Sequence, residues 1–439
     1  MKRFLSLMLA VLALCSLASC TPAQGQGQFL LAAPLYPEMA SYPGQGGNYE
    51  QAYSAWKAGR QKQLDQPEGS ADALDGYLRT IIPQLFSDGQ GENRVCAPVN
   101  VYMALAMLAE ATDGESREQI LRLLGCTELD ALRKEASAVW NRNYCKDGVL
   151  TSILASSLWI SDPLRVRQGT VNALAKYEYA STFQGAMGSP ALDGTLQDWI
   201  NQQTGNLLQE QASGLTLSPE TVLALVTTVY FRAEWEAGFP QKSTDFETFR
   251  GSSGEVRCAF LHRSMVDRYY WSDQFSAVGL PLLSGGTMWL LLPEDGVTPE
   301  TLLTQEKALD LILKGGRGTS SRSKVIHLAV PKFDISSDLE LTEVLSRLGI
   351  TAPFDPDCAD FTPLAEDAEG ICLSRFRHAA RIAIDEQGVM AAAYTEMPVE
   401  ATAAKPPEEE VSFTLDRPFV FAVTGLDGLP VFLGIVSQP

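Results

Sequence analysis

Few residues of this chain are of the types that catalyse reactions or bind metal ions. Its 439 residues include three histidines, His262, His327 and His378, and no Gly-x-Ser-x-Gly element. A Ser–His–Asp hydrolase site therefore has poor support, because few histidines could act as the base and no turn of the nucleophile-elbow type is present. No two cysteines have Cys-x-x-Cys spacing, so we expect neither a zinc site nor another cofactor, and we do not expect an enzyme.

The eight cysteines fall into two groups. Cys15 and Cys20 lie in an apolar segment at the N-terminus, and the other six are spread over the rest of the chain. These six are Cys96, Cys126, Cys145, Cys258, Cys358 and Cys372. An exported protein can form disulfides, but the spacing selects no pairing, and free buried thiols are an equally good interpretation.

The composition is that of a soluble globular protein. The chain is 45% apolar and 20% charged, and its formal net charge is −19. A strongly acidic surface repels phosphate groups, so nucleic acid and anionic membrane surfaces are not expected as partners.

The last part of the chain contains the most informative pattern. Residues 381–384, 419–423 and 431–436 read as strands, the last two joined by a Gly-containing turn. Between the first and second of them, residues 389–395 have almost only small side chains, which could form a helix or a strand.

Alternation along this run favours a strand. One face would carry Val389, Ala391, Ala393 and Thr395, all small and uncharged, while the bulkier Met390 and Tyr394 would point to the other face. The pattern suits a segment that can become a buried central strand.

This run resembles the hinge that precedes the reactive-centre loop of serpins. The family hinge reads Glu-x-Gly-(Thr or Val)-x-Ala-Ala-small, and the matching residues here are Glu386, Gly388, Val389, Ala391, Ala392 and Ala393. Two further stretches match the family: the ending from Pro418 to Pro439, and the Tyr-Phe-x-x-x-Trp-x-x-x-Phe pattern from Tyr230 to Phe239, which contains Trp235.

The resemblance covers nearly the whole chain after residue 69. It implies an α+β serpin fold with three β-sheets, about eight or nine helices and an exposed reactive-centre loop. We therefore expect residues 70–439 to form one serpin domain, a monomer.

The resemblance also implies a function. In serpins the loop is cleaved as bait by a serine protease, and insertion of the hinge into the main sheet traps the acyl-enzyme. A strand of about fourteen residues beyond Gly388 places the cleaved bond between Thr402 and Ala403. Counting back from the C-terminus would place it nearer Pro407. The small residues around Thr402 suit elastase-like or subtilisin-like proteases, and Glu400 leaves a Glu-specific protease open.

A non-inhibitory serpin, acting as a binding or structural protein, is the alternative. A charged or bulky hinge would favour it, and the hinge of this chain is neither.

One histidine has a structural role in the family. The position of His378 lies beneath the opening of the main sheet, where the family bonds it to a Ser and an Asn. Here Asn100 stands at the serine position and Thr227 at the asparagine position. We expect a hydrogen-bonded cluster of Asn100, Thr227 and His378 in which the two partner types are exchanged, because buried polar groups need partners.

The N-terminus reads as an export signal. Residues 1–20 combine Lys2 and Arg3 with an apolar run and end at Cys20, which resembles the lipidated cysteine of a bacterial lipoprotein; an ordinary signal peptide is the alternative. Residues 21–69 read as a flexible tether, in which only the run from Phe29 to Leu35 could dock on the domain. We expect an exported protein at the cell surface, held to the membrane only through a lipid on Cys20.

Overall fold

A computed structural model describes residues 29–43, 48–64, 72–89, 91–389 and 409–439. Its α-helices, α1 to α11 in chain order, span Tyr49–Leu64, Asp72–Leu85, Pro98–Ala111, Gly114–Leu124, Leu129–Asn143, Gln168–Tyr177, Pro190–Gln203, Gln209–Ser213, Pro299–Leu302, Glu306–Leu313 and Thr342–Arg347. Its strands, β1 to β17, span Leu30–Ala32, Arg94–Cys96, Cys145–Lys146, Leu150–Ser161, Ala180–Gly185, Leu223–Glu234, Thr244–Gly251, Gly254–Trp271, Phe275–Pro281, Thr287–Pro293, Ser320–Pro331, Asp334–Glu340, Leu373–Ala383, Gly388–Val389, Glu410–Thr414, Phe419–Thr424 and Pro430–Val436.

The main sheet has the strand order β1-β5-β4-β6-β13-β12. β14 pairs with β6, and the short β3 pairs with β4. β4 and β6 are buried along nearly their whole length, which explains why their sequences read as almost continuous apolar runs rather than as alternating ones. β6 and β13 lie next to each other in the middle of the sheet.

The other strands form one continuous network, in the order β15-β11-β8-β9-β10-β16-β17-β2, with β7 also paired to β8. β8 has 18 residues, and its first part pairs with β7 and its last part with β9. The three sheets expected from the sequence therefore appear as two hydrogen-bonded networks, because β8 is shared between the two smaller sheets.

Helix α3 forms the centre of the core. All of its residues are buried, and it begins with Pro98, whose missing N–H costs nothing at the first helical turn. A helix that is buried on every side must be enclosed by other elements, and α3 contacts both β4 and β6 of the main sheet.

The described part of the chain contains eleven α-helices, slightly more than the eight or nine expected. The extra ones are short or lie outside the region of resemblance. α8 and α9 have five and four residues, and α1 lies in the N-terminal segment.

The expectation of a flexible tether over residues 21–69 is wrong for the described part. Leu30–Ala32 pairs with β5, and it lies within the run from Phe29 to Leu35 that the sequence suggested could dock on the domain. Tyr49–Leu64 is a helix, and its Trp56 is buried and donates its ring N–H to Asp147 over 3.2 Å. Aromatic residues spaced along a polar segment can anchor it to a domain, although the segment is too polar to form a core of its own.

Three further findings concern membrane-spanning helices, metal sites and disulfides. None of the described helices is long and apolar enough to cross a membrane. Across the described ranges, no group of three His, Cys, Asp or Glu residues could hold a metal ion. The six cysteines outside the N-terminal segment are all free thiols.

Candidate functional site

The candidate site is a gap between two central strands of the main sheet. β6 and β13 run parallel and pair from Leu223 and Leu373 up to Thr228 and Ala379, where the ladder ends. On its other side β6 continues to pair with β4 as far as Ala233. β13 likewise pairs with β12 as far as Ala383. Between Thr228 and Ala233, the inner edge of β6 therefore faces β13 without a ladder partner among the described residues.

The chain itself enters the mouth of this gap. After β13 it turns back, and β14 pairs antiparallel with β6, with Gly388 opposite Glu234 and Val389 opposite Ala233. Val389 also forms a bridge to Ile384 at the end of β13. Val389 is fully buried and lies between the two strands, so the first residues of the predicted hinge already occupy the position of an added central strand.

Asp385 shapes the turn that brings the hinge back to the sheet. Its Oδ1 accepts the backbone N–H groups of Gln387 and Gly388 at 2.8 and 3.0 Å. Its own backbone N–H donates to the Gly388 carbonyl over 3.0 Å. An aspartate that bonds its own backbone two and three residues ahead stabilises a tight turn.

Gly388 has a steric reason to be glycine. A Cβ built at this position would overlap the carbonyl oxygen of Ala233 and would lie 2.8 Å from the Cα of Glu234. Backbone atoms cannot move aside as the end of a side chain can, so only glycine allows β14 to approach β6 this closely.

Trp235 fixes the upper end of the gap. Its backbone N–H donates to the Gln387 carbonyl over 2.9 Å, and its ring N–H donates to the Asp385 carbonyl over 2.9 Å. Its ring meets Phe239 edge to face at 6.0 Å, and the Phe239 N–H donates to the Glu386 carbonyl. The motif that begins at Tyr230 therefore binds the hinge turn directly.

Glu386 is bonded by side chains of Thr244 on β7 and of Lys332 in the connection between β11 and β12. Lys332 Nζ lies 2.9 and 3.1 Å from its carboxylate oxygens, and Thr244 donates to Oε1 over 2.8 Å. Burial acts to raise the pKa of Glu386, but the bonds from Lys332 and Thr244 outweigh it, and the pKa lies below its ordinary value. The turn is thus fastened by an ion pair as well as by backbone bonds.

His378 lies below the gap and is bonded on both ring nitrogens. The backbone N–H of Ala97 donates to Nε2 over 2.9 Å, so Nε2 carries no proton. The neutral ring then carries its proton on Nδ1, which lies 2.8 Å from Thr227 Oγ1 and donates to it. Burial lowers the pKa of His378 to about 4, so the neutral form is the one present at physiological pH.

The expected three-membered cluster forms only in part. Asn100 lies on α3, and its Nδ2 donates to the backbone carbonyl of Thr228 over 2.9 Å rather than to Thr227 or His378. Asn100 does not bond to the histidine because Thr227 and Ala97 already use both ring nitrogens of His378. Asn100 therefore joins α3 to β6 independently of the histidine.

Several predicted site residues lie outside the described residues. These are Cys20, Ala391, Ala392, Ala393, Thr402 and Ala403. The described chain resumes at Glu409, whose carboxylate forms ion pairs with Arg322 at 2.5 Å and Lys324 at 3.4 Å. β15 follows and pairs in parallel with β11.

Three residues that stabilise the hinge turn were not predicted from the sequence: Asp385, Thr244 and Lys332. Asp385 has a local signal, since Asp two or three residues before Gly is typical of a turn. Thr244 and Lys332 are distant in sequence from Glu386, and no local pattern links them to it.

Comparison with known proteins relates this chain to a protein family. The model of the family described as Serpin (serine protease inhibitor) matches residues 79–439. Plasminogen activator inhibitor 1 of Sus scrofa is 27% identical over 383 residues, which cover 82% of this chain and 90% of that protein.

Solved structures show the same fold. The thermophilic serpin tengpin in its native state has a TM-score of 0.74 at 23% identity and covers 86% of this chain and 98% of its own. Thyroxine-binding globulin in complex with thyroxine has a TM-score of 0.70 at 21% identity, covering 83% of this chain and 99% of its own. The α+β fold and its arrangement of sheets, as expected from the sequence, are confirmed.

Proposed function

Because the chain belongs to the serpin family, whose members are generally serine protease inhibitors rather than catalysts, we propose that it inhibits serine proteases by trapping the acyl-enzyme. The cleaved loop inserts into the main sheet as a new strand between β6 and β13 and carries the attached protease with it.

One observation carries this proposal: the position of β14. Gly388 and Val389 are paired with the inner edge of β6 at the mouth of the gap, and the ladder between β6 and β13 resumes only below Thr228 and Ala379. Further residues of the loop can therefore extend β14 downward along the free edge of β6, and below Thr228 they must part the ladder that joins β6 to β13. The energy for this comes from the new ladder bonds, each worth roughly 1 kcal/mol net.

The covalent step balances as in ordinary acyl transfer. The hydroxyl oxygen of the protease serine attacks the carbonyl carbon of Thr402, and the peptide bond to Ala403 breaks. The serine proton passes through the protease histidine to the leaving amine of Ala403. The protease remains attached to Thr402 as an ester, and insertion of the strand that ends at Thr402 distorts its catalytic site before water can hydrolyse the ester.

The residues around the proposed bond favour proteases with small specificity pockets. Residues 399–404 carry small side chains apart from one glutamate, Glu400, which suits elastase-like or subtilisin-like enzymes. Lys405 is a poor site for a trypsin-like enzyme because Pro406 follows it.

We further propose that the chain is exported and anchored by a lipid on Cys20. The support is the N-terminal sequence itself, in which an apolar run with a positive start ends at that cysteine. Metabolic labelling with a radioactive fatty acid would test it. A Cys20→Ser variant should lose the label, and an unlabelled wild-type chain would contradict the proposal.

The inhibitory function is tested by mixing the protein with pancreatic elastase, neutrophil elastase, subtilisin and trypsin and running denaturing gels. We expect a band at the summed mass of inhibitor and protease, less the C-terminal peptide, with at least one enzyme of small-residue specificity. The released C-terminal peptide should begin at Ala403. A protease whose serine has been chemically blocked is the control, and it should give no such band.

The same experiment identifies the non-inhibitory alternative. Cleavage of the loop by several proteases with no stable complex, together with no gain in heat stability after cleavage, would show that the loop does not insert. The chain would then be a binding or structural member of the family.

A further inference from the structure

The two edges of the main sheet differ in how they are protected. β12, at one edge, carries the acidic residues Asp334, Asp338 and Glu340. Charged side chains on an edge strand oppose pairing with a second molecule. β5, next to the other edge, reads Ala-Ser-Thr-Phe-Gln-Gly and carries no charge. β5 therefore has no protection of its own against strand addition.

β1 covers the open side of β5. Leu30 lies opposite Phe183 and Ala32 opposite Thr182, and the backbone N–H of Gln184 donates to the carbonyl of Phe29 over 2.8 Å. The backbone groups that β5 would otherwise expose are thus used within the molecule.

The ring of Phe29 fits against a glycine of β5. A Cβ at Gly185 would lie 2.8 Å from Phe29 Cδ1 and 2.9 Å from Leu192 Cδ1. The missing side chain provides the space in which Phe29 packs, so Phe29 and Gly185 together fix the position of β1 on the sheet edge.

The cover is short. β1 has three half-buried residues, and its register shifts between Leu30 and Ala32. The chain after it holds it in place, since the Tyr36 ring lies 5.2 Å from that of Trp140 and its hydroxyl donates to Gln203 over 3.1 Å. A pairing of this length is too weak to persist without such neighbours.

We propose that β1 is a removable cap on the edge of β5, and that a second copy of this chain occupies the edge when β1 leaves. The two copies would pair β5 with β5, antiparallel, about a two-fold axis. An uncharged strand is self-complementary in this arrangement, because each copy offers the same row of N–H and C=O groups. The net charge of −19 opposes association in every orientation, but the uncharged β5 adds nothing to this repulsion, whereas the acidic β12 does.

The test weakens β1 in the full chain and measures mass in solution. Phe29→Asp removes the ring that packs on Gly185 and adds a charge beside β5. We expect the mass by analytical ultracentrifugation to move from that of the monomer to twice that value at tens of micromolar protein. The Phe29→Asp/Leu30→Pro double variant should associate at lower concentration, because Pro cannot donate to a ladder.

A matched control is available on the same segment. Leu35 is 92% exposed, so Leu35→Asp makes the same chemical change without touching β5, and this variant should remain a monomer. Circular dichroism melting of each variant reports whether the domain itself is folded.

Addition of a synthetic peptide with the sequence of residues 28–36 distinguishes association through β5 from other contacts. The peptide should return the Phe29→Asp variant to the monomer, and a peptide with Pro at the position of Leu31 should not. A folded double variant that stays monomeric overturns the proposal, and so does a dimer that is insensitive to the wild-type peptide.

Discussion

At the scale of single residues, His378 gives the clearest electrostatic prediction. Its ring is neutral in the folded protein because burial lowers its pKa from 6.5 to about 4, whereas the unfolded chain takes up a proton near the ordinary value. The contribution of this group to stability is therefore complete above pH 6.5 and is lost as the pH falls towards 4. Between pH 7 and pH 5 the loss is about 2 kcal/mol.

Two measurements check this prediction. Nitrogen NMR of the histidine rings should show one ring that stays neutral at pH 5, with its proton on Nδ1. The fall in unfolding free energy from pH 7 to pH 5 should also be smaller in a His378→Gln variant by about the amount given by the pKa difference. A His378 ring that titrates near 6.5 in the folded protein would contradict the burial of the neutral form.

Thr227 supplies a second prediction at this scale. Thr227→Val leaves the Nδ1–H of His378 without an acceptor in a buried place, and we expect a loss of about 1–3 kcal/mol of unfolding free energy. The neighbouring Thr228 is the matched control. Its Oγ1 is buried without a hydrogen-bond partner, so Thr228→Val should cost little or stabilise the protein. Equal losses in the two variants, measured by urea unfolding, would show that the bond to His378 contributes nothing specific.

At the scale of elements, the hinge depends on the absence of one side chain. Gly388→Ala places a methyl group against the backbone of Ala233 and Glu234, so β14 can no longer pair with β6. We expect more molecules to be cleaved as substrate for each protease trapped, by about tenfold if the early pairing is worth ~1.4 kcal/mol in the partition between insertion and hydrolysis.

The measurement is the stoichiometry of inhibition with the protease identified above. Gly169→Ala is a suitable control, because that glycine lies on helix α6 and a Cβ added there would have nothing within 4 Å. A Gly388→Ala protein that inhibits as efficiently as the wild type would show that early pairing of β14 is unnecessary for trapping.

The ion pair of Glu386 tests whether side chains outside the hinge turn stabilise it. Glu386→Lys places two lysines together and also loses the bond from Thr244, so we expect a lower thermal midpoint and faster proteolysis near residue 388. Glu386→Gln keeps an acceptor for Thr244 and should be milder. Adding Lys332→Glu to Glu386→Lys reverses the charges and should recover part of the loss; no recovery would assign the defect to something other than the ion pair.

The sequence predicts several strands around the gap but not the contacts that fix the N-terminal segment or the partner of Asn100. The strands expected over residues 381–384, 419–423 and 431–436 are present, because each depends on a local pattern of alternating or apolar residues. The expectation of a tether fails for the N-terminal segment, because Tyr36 and Trp56 anchor it through contacts with α5, α7 and the β3–β4 turn, which composition does not reveal. The partner of Asn100 escapes prediction for a similar reason, since it is a backbone carbonyl rather than a side chain.

At the scale of the whole molecule, the described residues leave part of the middle of the main sheet without ladder bonds. Above Thr228 and Ala379, the inner edges of β6 and β13 have no ladder partners among the described residues other than Gly388 and Val389, although both strands are paired on their outer sides over this stretch. Unpaired backbone groups in the middle of a sheet cost free energy that a further strand would recover.

Cleavage of the loop should therefore make the protein more stable, which is unusual for a broken chain. Once cut, the segment after Val389 can follow β6 downward and add on the order of ten ladder bonds, worth roughly 10 kcal/mol. With an unfolding entropy of about 2.1 cal/mol/K per residue for a domain of roughly 360 residues, the melting midpoint should rise by about 10 °C or more. Calorimetry before and after limited proteolysis in the loop measures this directly.

The Gly388→Ala protein, cleaved in the same way, should gain less because its first pair cannot form. A cleaved wild-type protein that melts at or below the temperature of the intact one would mean that the gap does not accept the loop, and trapping by insertion would then be ruled out for this chain.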